Sequence, residues 1–167
     1  MALAEGTYRI RNFRSKYHVV LPRERGDLVA CDGHFAEGDT WRVICRISEC
    51  NQYQIQNCAL EKYGASCDAP RVQDESNVCA REKGTEWIIN EEGYGKPLEA
   101  RSSKTHTISS TNGAYWLFKT DASNAEQVIV RHQEPNGSNW WIFEPVEPSY
   151  HFSPNVPCKY LSGRPKK

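Results

Sequence analysis

Three short runs of the sequence resemble one another, and each is followed at nearly constant distance by a tryptophan. The runs are Thr7-Tyr8-Arg9-Ile10-Arg11-Asn12, Gln52-Tyr53-Gln54-Ile55-Gln56-Asn57 and His106-Thr107-Ile108-Ser109-Ser110. From the isoleucine of each run to Trp41, Trp87 and Trp141 the separations are 31, 32 and 33 residues (41−10, 87−55 and 141−108). A threefold repeat limits the fold more than any single motif, because each copy must form the same supersecondary unit.

Helical periodicity is weak throughout. Runs of four to eight residues with alternating apolar positions recur instead, punctuated by Gly, Asn, Asp and Pro, which is a strand-and-turn pattern. The first repeat predicts strands near 7–13, 17–22, 28–32 and 40–47. The second predicts 52–58, 63–68, 77–82 and 86–90, and the third 106–111, 115–120, 126–132 and 140–146. Tyr17, Tyr63 and Tyr115 open the second strand of each repeat, and the tryptophan opens the fourth. Twelve short strands in three equivalent sets predict an all-β chain, and the threefold repetition favours a β-trefoil. In that fold six strands close a small barrel and six form three hairpins capping one end. The domain is expected to span 1–147, with 148–167 a proline-bearing tail. Asn90 to Lys104 reads as a long loop ahead of the third repeat.

At 167 residues the chain fits one domain, large enough for its own core without metal or disulfides. Its formal net charge is zero, so the basic excess expected of a nucleic-acid binder is missing. Arg164-Pro165-Lys166-Lys167 is the only basic cluster and reads as a solubilising terminus. Met1 to Gly6 has neither a basic region nor a long apolar core, and no stretch approaches the ~20 apolar residues that span a bilayer. A cytoplasmic protein with no membrane partner is expected. The seven cysteines (31, 45, 50, 58, 67, 79 and 158) are then expected to be reduced. Cys31, Cys58, Cys67 and Cys79 fall in predicted strands, where a thiol acts as a small apolar group. No Cys-x-x-Cys pair suggests zinc, and no cofactor is expected. No nucleophile elbow, His-Glu-x-x-His or phosphate loop appears, so no catalytic residue is assigned.

Two binding functions fit such a scaffold. Sugar-binding repeats of the ricin-B-like lectins, a trefoil family, carry an Asp after the first strand and a Gln two residues before the tryptophan. Here those latter positions hold Asp39, Thr85 and Asn139, and the second strands supply no Asp. Tyr115 and Trp116 remain as aromatics that could stack on a sugar, although core packing is the simpler role. A second similarity lies in Gly6-Thr7-Tyr8-Arg9-Ile10-Arg11-Asn12, Asn112-Gly113-Ala114-Tyr115-Trp116 and Glu126-Gln127 ahead of an apolar strand. These runs resemble the mushroom β-trefoil serine protease inhibitors, the cospin-like family, over about residues 5 to 146. The resemblance implies a defence role and a trypsin-like serine protease as partner. Related mushroom trefoils inhibit cysteine proteases instead. The seven cysteines and the tail depart from the family pattern.

The resemblance also implies a reactive loop between the second and third strands, here Pro22-Arg23-Glu24-Arg25-Gly26. Pro22 stiffens the way in, and an arginine suits a carboxylate at the base of a trypsin-like pocket. Cleavage after Arg25 would place small Gly26 next, whereas cleavage after Arg23 would place acidic Glu24, so Arg25 is preferred. The loop with Pro135, Asn136 and Gly137 is a secondary candidate, read more simply as a turn. Lys96 precedes Pro97 and is a poor cleavage site.

Overall fold

The computed structural model describes residues 2–23, 26–33, 38–68, 73–92, 104–119, 125–133 and 137–147. Twelve strands lie within them: β1 Gly6–Asn12, β2 His18–Val20, β3 Val29–Cys31, β4 Thr40–Ile47, β5 Gln52–Asn57, β6 Tyr63–Ser66, β7 Val78–Arg81, β8 Trp87–Glu92, β9 Thr105–Ser109, β10 Tyr115–Phe118, β11 Val128–Arg131 and β12 Trp141–Pro145. One 3₁₀ turn, Ser48–Cys50, joins β4 to β5. No described helix is long and apolar enough to cross a membrane.

Antiparallel pairing runs β1–β4–β5–β8–β9–β12 and back to β1, so six strands close a barrel. The pairs β2–β3, β6–β7 and β10–β11 form three hairpins. The hairpins dock in a ring: Leu28 donates its N–H to Val78 O at 2.8 Å, and Val128 donates to Leu28 O at 2.8 Å. Around this pair, Ala30, Ala80 and Val130 donate to Glu126, Gly26 and Ser76. This is the β-trefoil that the repeat predicts.

Alternation explains the core. Along β1 and β5 the buried residues are Tyr8, Ile10, Asn12 and Tyr53, Ile55, Asn57, one on every second position. Trp41, Trp87 and Trp141 are fully buried. Each indole N–H donates to a carbonyl of its repeat's second strand, at Val19 (2.9 Å), Gly64 (2.8 Å) and Trp116 (3.2 Å). The repeating tryptophans thus tie barrel to cap and satisfy their polar atom in doing so.

Two expectations are corrected. His18, not Tyr17, matches Tyr63 and Tyr115, since these three pair with Arg11, Gln56 and Ser109. Tyr17 stands one position before the equivalent of Tyr63, and it matches Tyr115 in spacing from the isoleucine only because the third turn is one residue shorter. In the first two repeats Lys16 N and Glu61 N reach back to Asn12 O and Asn57 O, four residues away. The third repeat uses a tighter turn in which Gly113 N reaches Ser110 O. Second, Cys67 and Cys79 are joined in a disulfide, with Cα atoms 5.7 Å apart, rather than being separate thiols. Hairpin pairing opposes Ala65 to Cys79 and so brings Cys67 within reach. Cys31, Cys45 and Cys50 carry free thiols. Most of the long loop (93–103) and the tail (148–167) lie outside the described residues.

Opposite the hairpin cap, the barrel mouth is lined by Tyr8, Tyr53 and His106, each two residues before its isoleucine. The tyrosine hydroxyls donate to Ala4 O and Leu3 O, both at 2.9 Å. Leu3 packs on the core there, so the N-terminal segment covers the mouth. His106 is buried against Phe143, and its Nδ1 has no hydrogen-bond partner among the described residues. Burial pushes its pKa below the usual imidazole value, against the nearby Glu91 carboxylate, which favours protonation. A depressed histidine pKa means that the native state binds fewer protons than the unfolded chain. The stability this contributes is present above about pH 6.5, the unfolded value, and is lost as pH falls below it. His106→Tyr, which restores the pattern of Tyr8 and Tyr53, should flatten the drop in unfolding free energy between pH 7 and pH 5. An unchanged slope in urea titrations at the two pH values would reject the assignment.

Candidate functional site

The loop after β2 is held at both ends. Leu21 is buried, and its N–H donates to Gly38 O at 2.9 Å. The approach requires glycine, because a Cβ on Gly38 would stand 2.5 Å from Leu21 O. At the other end Gly26 O accepts from Ala80 N, and the Asp27 carboxylate accepts from Asn77 Nδ2 at 2.9 Å and Gln127 Nε2 at 2.7 Å. The Cys67 sulfur lies 3.8 Å from the same carboxylate, a contact in which only the reduced thiol could donate. Asp27, Asn77 and Gln127 stand 50 residues apart in turn (77−27 and 127−77), one per repeat. They form a polar hub between the hairpins. Pro22, Arg23 and Gly26 are exposed. Glu24 and Arg25, the preferred contact residue, lie outside the described residues. So do Pro135 and Asn136 of the secondary loop, whereas Gly137 is half-buried beside the Arg14 side chain.

The positions a lectin repeat would use are occupied structurally. Asp39 is buried and accepts from Arg9 Nε at 2.7 Å and Thr40 Oγ1 at 2.9 Å. Thr85 Oγ1 accepts from Ser66 N at 3.1 Å, and Asn139 is fully buried. Trp116 is fully buried too, which removes it as a sugar platform and leaves Tyr115 half-buried. Among the described residues no group of three His, Cys, Asp or Glu side chains could hold a metal ion.

An aromatic pair that sequence reasoning missed sits where the chain's two ends meet in the barrel. Pairing of β1 with β12 opposes Asn12 to Trp141 and so places Phe13 beside Trp140. The Phe13 N–H donates to Trp140 O at 2.8 Å, and the rings lie 5.7 Å apart at 56°. Asn12 organises the turn. Its Oδ1 accepts from the N–H of Arg14 and Ser15 at 3.0 Å, and its Nδ2 donates to Ser138 O at 2.8 Å. Lys16 Nζ stands 4.7 Å over the Phe13 ring, and Gln133 Nε2 donates to Ser138 Oγ at 3.3 Å. Both rings are half-buried, and the Trp140 indole N–H is buried without a partner among the described residues. Leaving such a donor unpaired costs about 1–3 kcal/mol.

The same turn exists in the second repeat without the rings. Asn57 Oδ1 accepts from Ala59 and Leu60, its Nδ2 donates to Gly38 O, and Cys58 N donates to Thr40 O. There Cys58 and Thr40 replace Phe13 and Trp140. At the remaining junction the residues are Thr111 and Glu86. The only sequence signal for the pair was the doubled tryptophan, Trp140-Trp141.

No protein-family model matches the chain, and no curated protein matches its sequence. The inhibitor resemblance therefore has no family match behind it. Solved structures do match in fold. The Rhizoctonia solani agglutinin aligns at a TM-score of 0.71 and 18% identity, over 87% of this chain and 99% of its own. A ricin B-like lectin of Macrolepiota procera, solved in complex with lactose, aligns at 0.71 and 13%, over 87% and 100%. The designed threefold-symmetric protein ThreeFoil aligns at 0.70 and 12%, over 84% and 99%. At these identities the likeness shows the fold alone: the chain is a β-trefoil.

Proposed function

We propose that this β-trefoil is a carbohydrate-binding module whose sugar stacks on the Phe13–Trp140 shelf. One observation carries the reading. The shelf occurs at one of three equivalent junctions, and the other two fold with Thr40 and Cys58 or with Glu86 and Thr111 in its place. The scaffold does not need the rings, and the Trp140 indole N–H has no partner among the described residues. Sugar rings present flat C–H faces that suit aromatic surfaces, with hydroxyls at the edge for groups such as Gln133. The carbohydrate-binding relatives in fold point the same way, the Macrolepiota lectin having been solved with lactose.

A second reading keeps the loop Pro22–Gly26 as a protease-inhibitory segment, favoured by its two pinned ends, since preorganisation lowers the ordering cost of binding. Serine and cysteine proteases are both possible targets of such a loop. One experiment separates the readings: the wild type, Trp140→Thr and Arg25→Ala are tested on a glycan array and titrated against trypsin and papain. The carbohydrate reading expects glycan binding that falls at least about tenfold, or about 1.4 kcal/mol, in Trp140→Thr and is unchanged in Arg25→Ala. A blank array together with near-stoichiometric protease inhibition, lost in Arg25→Ala, would replace it with the inhibitor.

A further inference from the structure

We infer that the shelf selects acidic glycans, carrying carboxylate or sulfate groups, through Arg14 and Lys16; the inference rests on the carbohydrate reading. Both side chains are exposed, and neither has an ion-pair partner among the described residues. Five other described cations are ion-paired: Arg9 with Asp39, Arg11 with Glu144, Lys62 with Glu82, Lys104 with Glu91 and Arg131 with Glu75. Formal charge is balanced over the whole chain, and here two cations two residues apart stand beside an aromatic pair.

The repeat provides an internal control. Asn12 and Asn57 fold the same turn, so Arg14 corresponds to Ala59 and Lys16 to Glu61. Lys16 and Glu61 share the left-handed backbone, at φ 68° and 54°. That conformation suits glycine or asparagine better than either. The backbone therefore does not choose the charge, and the repeat carrying the aromatic shelf has the positive residue. Lys16 is placed over the Phe13 ring at 4.7 Å. Arg14 is set by Asn12 Oδ1 through its N–H, with its Cβ 3.9 Å from where a Cβ on Gly137 would lie. A guanidinium fork and an ammonium flanking an apolar platform match a pyranose whose edge bears an anion. These exposed charges act through solvent, so the selectivity should weaken with salt.

The test measures binding of trigalacturonate, a sulfated galactan, a neutral galactan and poly-glutamate by titration calorimetry. Wild type is compared with the double variant Arg14→Ala/Lys16→Glu, which takes the second repeat's residues at these two positions, where the same turn folds. At 20 mM salt the wild type should bind one or both acidic glycans at least about tenfold more tightly than the neutral one. The preference should shrink in 0.5 M salt and vanish in the double variant, with neutral binding retained. The two acidic arms tell carboxylate from sulfate. Equal affinity for neutral and acidic glycans, or an acidic preference that survives the double substitution, would overturn the inference while leaving the carbohydrate reading. Binding of poly-glutamate as tight as that of the acidic glycans would reduce it to charge alone and overturn it. Failure to bind any glycan would remove both.

Discussion

Trp116→Ala is expected to destabilise the fold by about 3–5 kcal/mol, a large share of the roughly 5–15 kcal/mol typical of a domain. Trp116 is fully buried on the axis side of the cap, edge-on to Trp87 at 5.1 Å and to Trp141 at 6.4 Å. Its equivalents are Val19 and Gly64, which accept the other two indole N–H bonds. One large ring, one branched residue and one glycine therefore share a space that perfect symmetry would divide equally. A Cβ on Gly64 would already lie 3.4 Å from the Trp116 ring. Removing the ring leaves a cavity bounded by Trp87 of the second repeat and Trp141 of its own, which the closed barrel cannot collapse to fill. Trp116→Phe should cost much less, because it keeps part of the ring and deletes a buried indole N–H that has no partner among the described residues. Urea unfolding of both variants checks this. A loss below about 1 kcal/mol for the alanine variant would show that the core relaxes after all.

Asp27→Ala is the second large effect, at about 2–3 kcal/mol. It strands the Asn77 and Gln127 amides, which now donate to one carboxylate from two other hairpins. The ring of backbone bonds through Leu28, Val78 and Val128 sits next to this hub, so the three hairpins should loosen together. Asp27→Asn, which keeps one acceptor oxygen, should lose about half as much. Denaturant unfolding gives the magnitude. Hydrogen exchange at Leu28, Ala80 and Val130 should rise relative to Ile10 and Ile55 in the barrel. Exchange rising only at residues near 27 would mean that the hairpins are held by the backbone ring alone.

The hub shows why part of the site was hidden. Its members recur every 50 residues, but they are an Asp, an Asn and a Gln in predicted turns, where polar residues carry no periodic signal. The Cys67–Cys79 bond needed the hairpin register. Tyr17 stands one place before the position of Tyr63 and Tyr115; its equal spacing with Tyr115 conceals this because the third repeat's turn is one residue shorter, a backbone choice that the aromatic spacing does not report. The lectin positions Asp39, Thr85 and Asn139 serve the fold itself: Asp39 and Asn139 are buried and Thr85 accepts a backbone hydrogen bond. The aromatic pair that supports carbohydrate binding lies elsewhere. Phe13 and Trp140 are 127 positions apart (140−13). Neither has the same residue type at its equivalent positions.

By itself the sequence determined the all-β class, the strand count and the tryptophan core. Burying one face of a strand forces alternation at period two, and three copies must bury their tryptophans the same way, so the constraint is written locally and repeated. Tertiary structure alone decided which surface residues meet. Closing the barrel sets β1 against β12, and that closure joins Phe13 to Trp140 and brings Arg14 beside Gly137. Exposed side chains obey no such periodicity, so their adjacency exists only once the ends of the chain are paired.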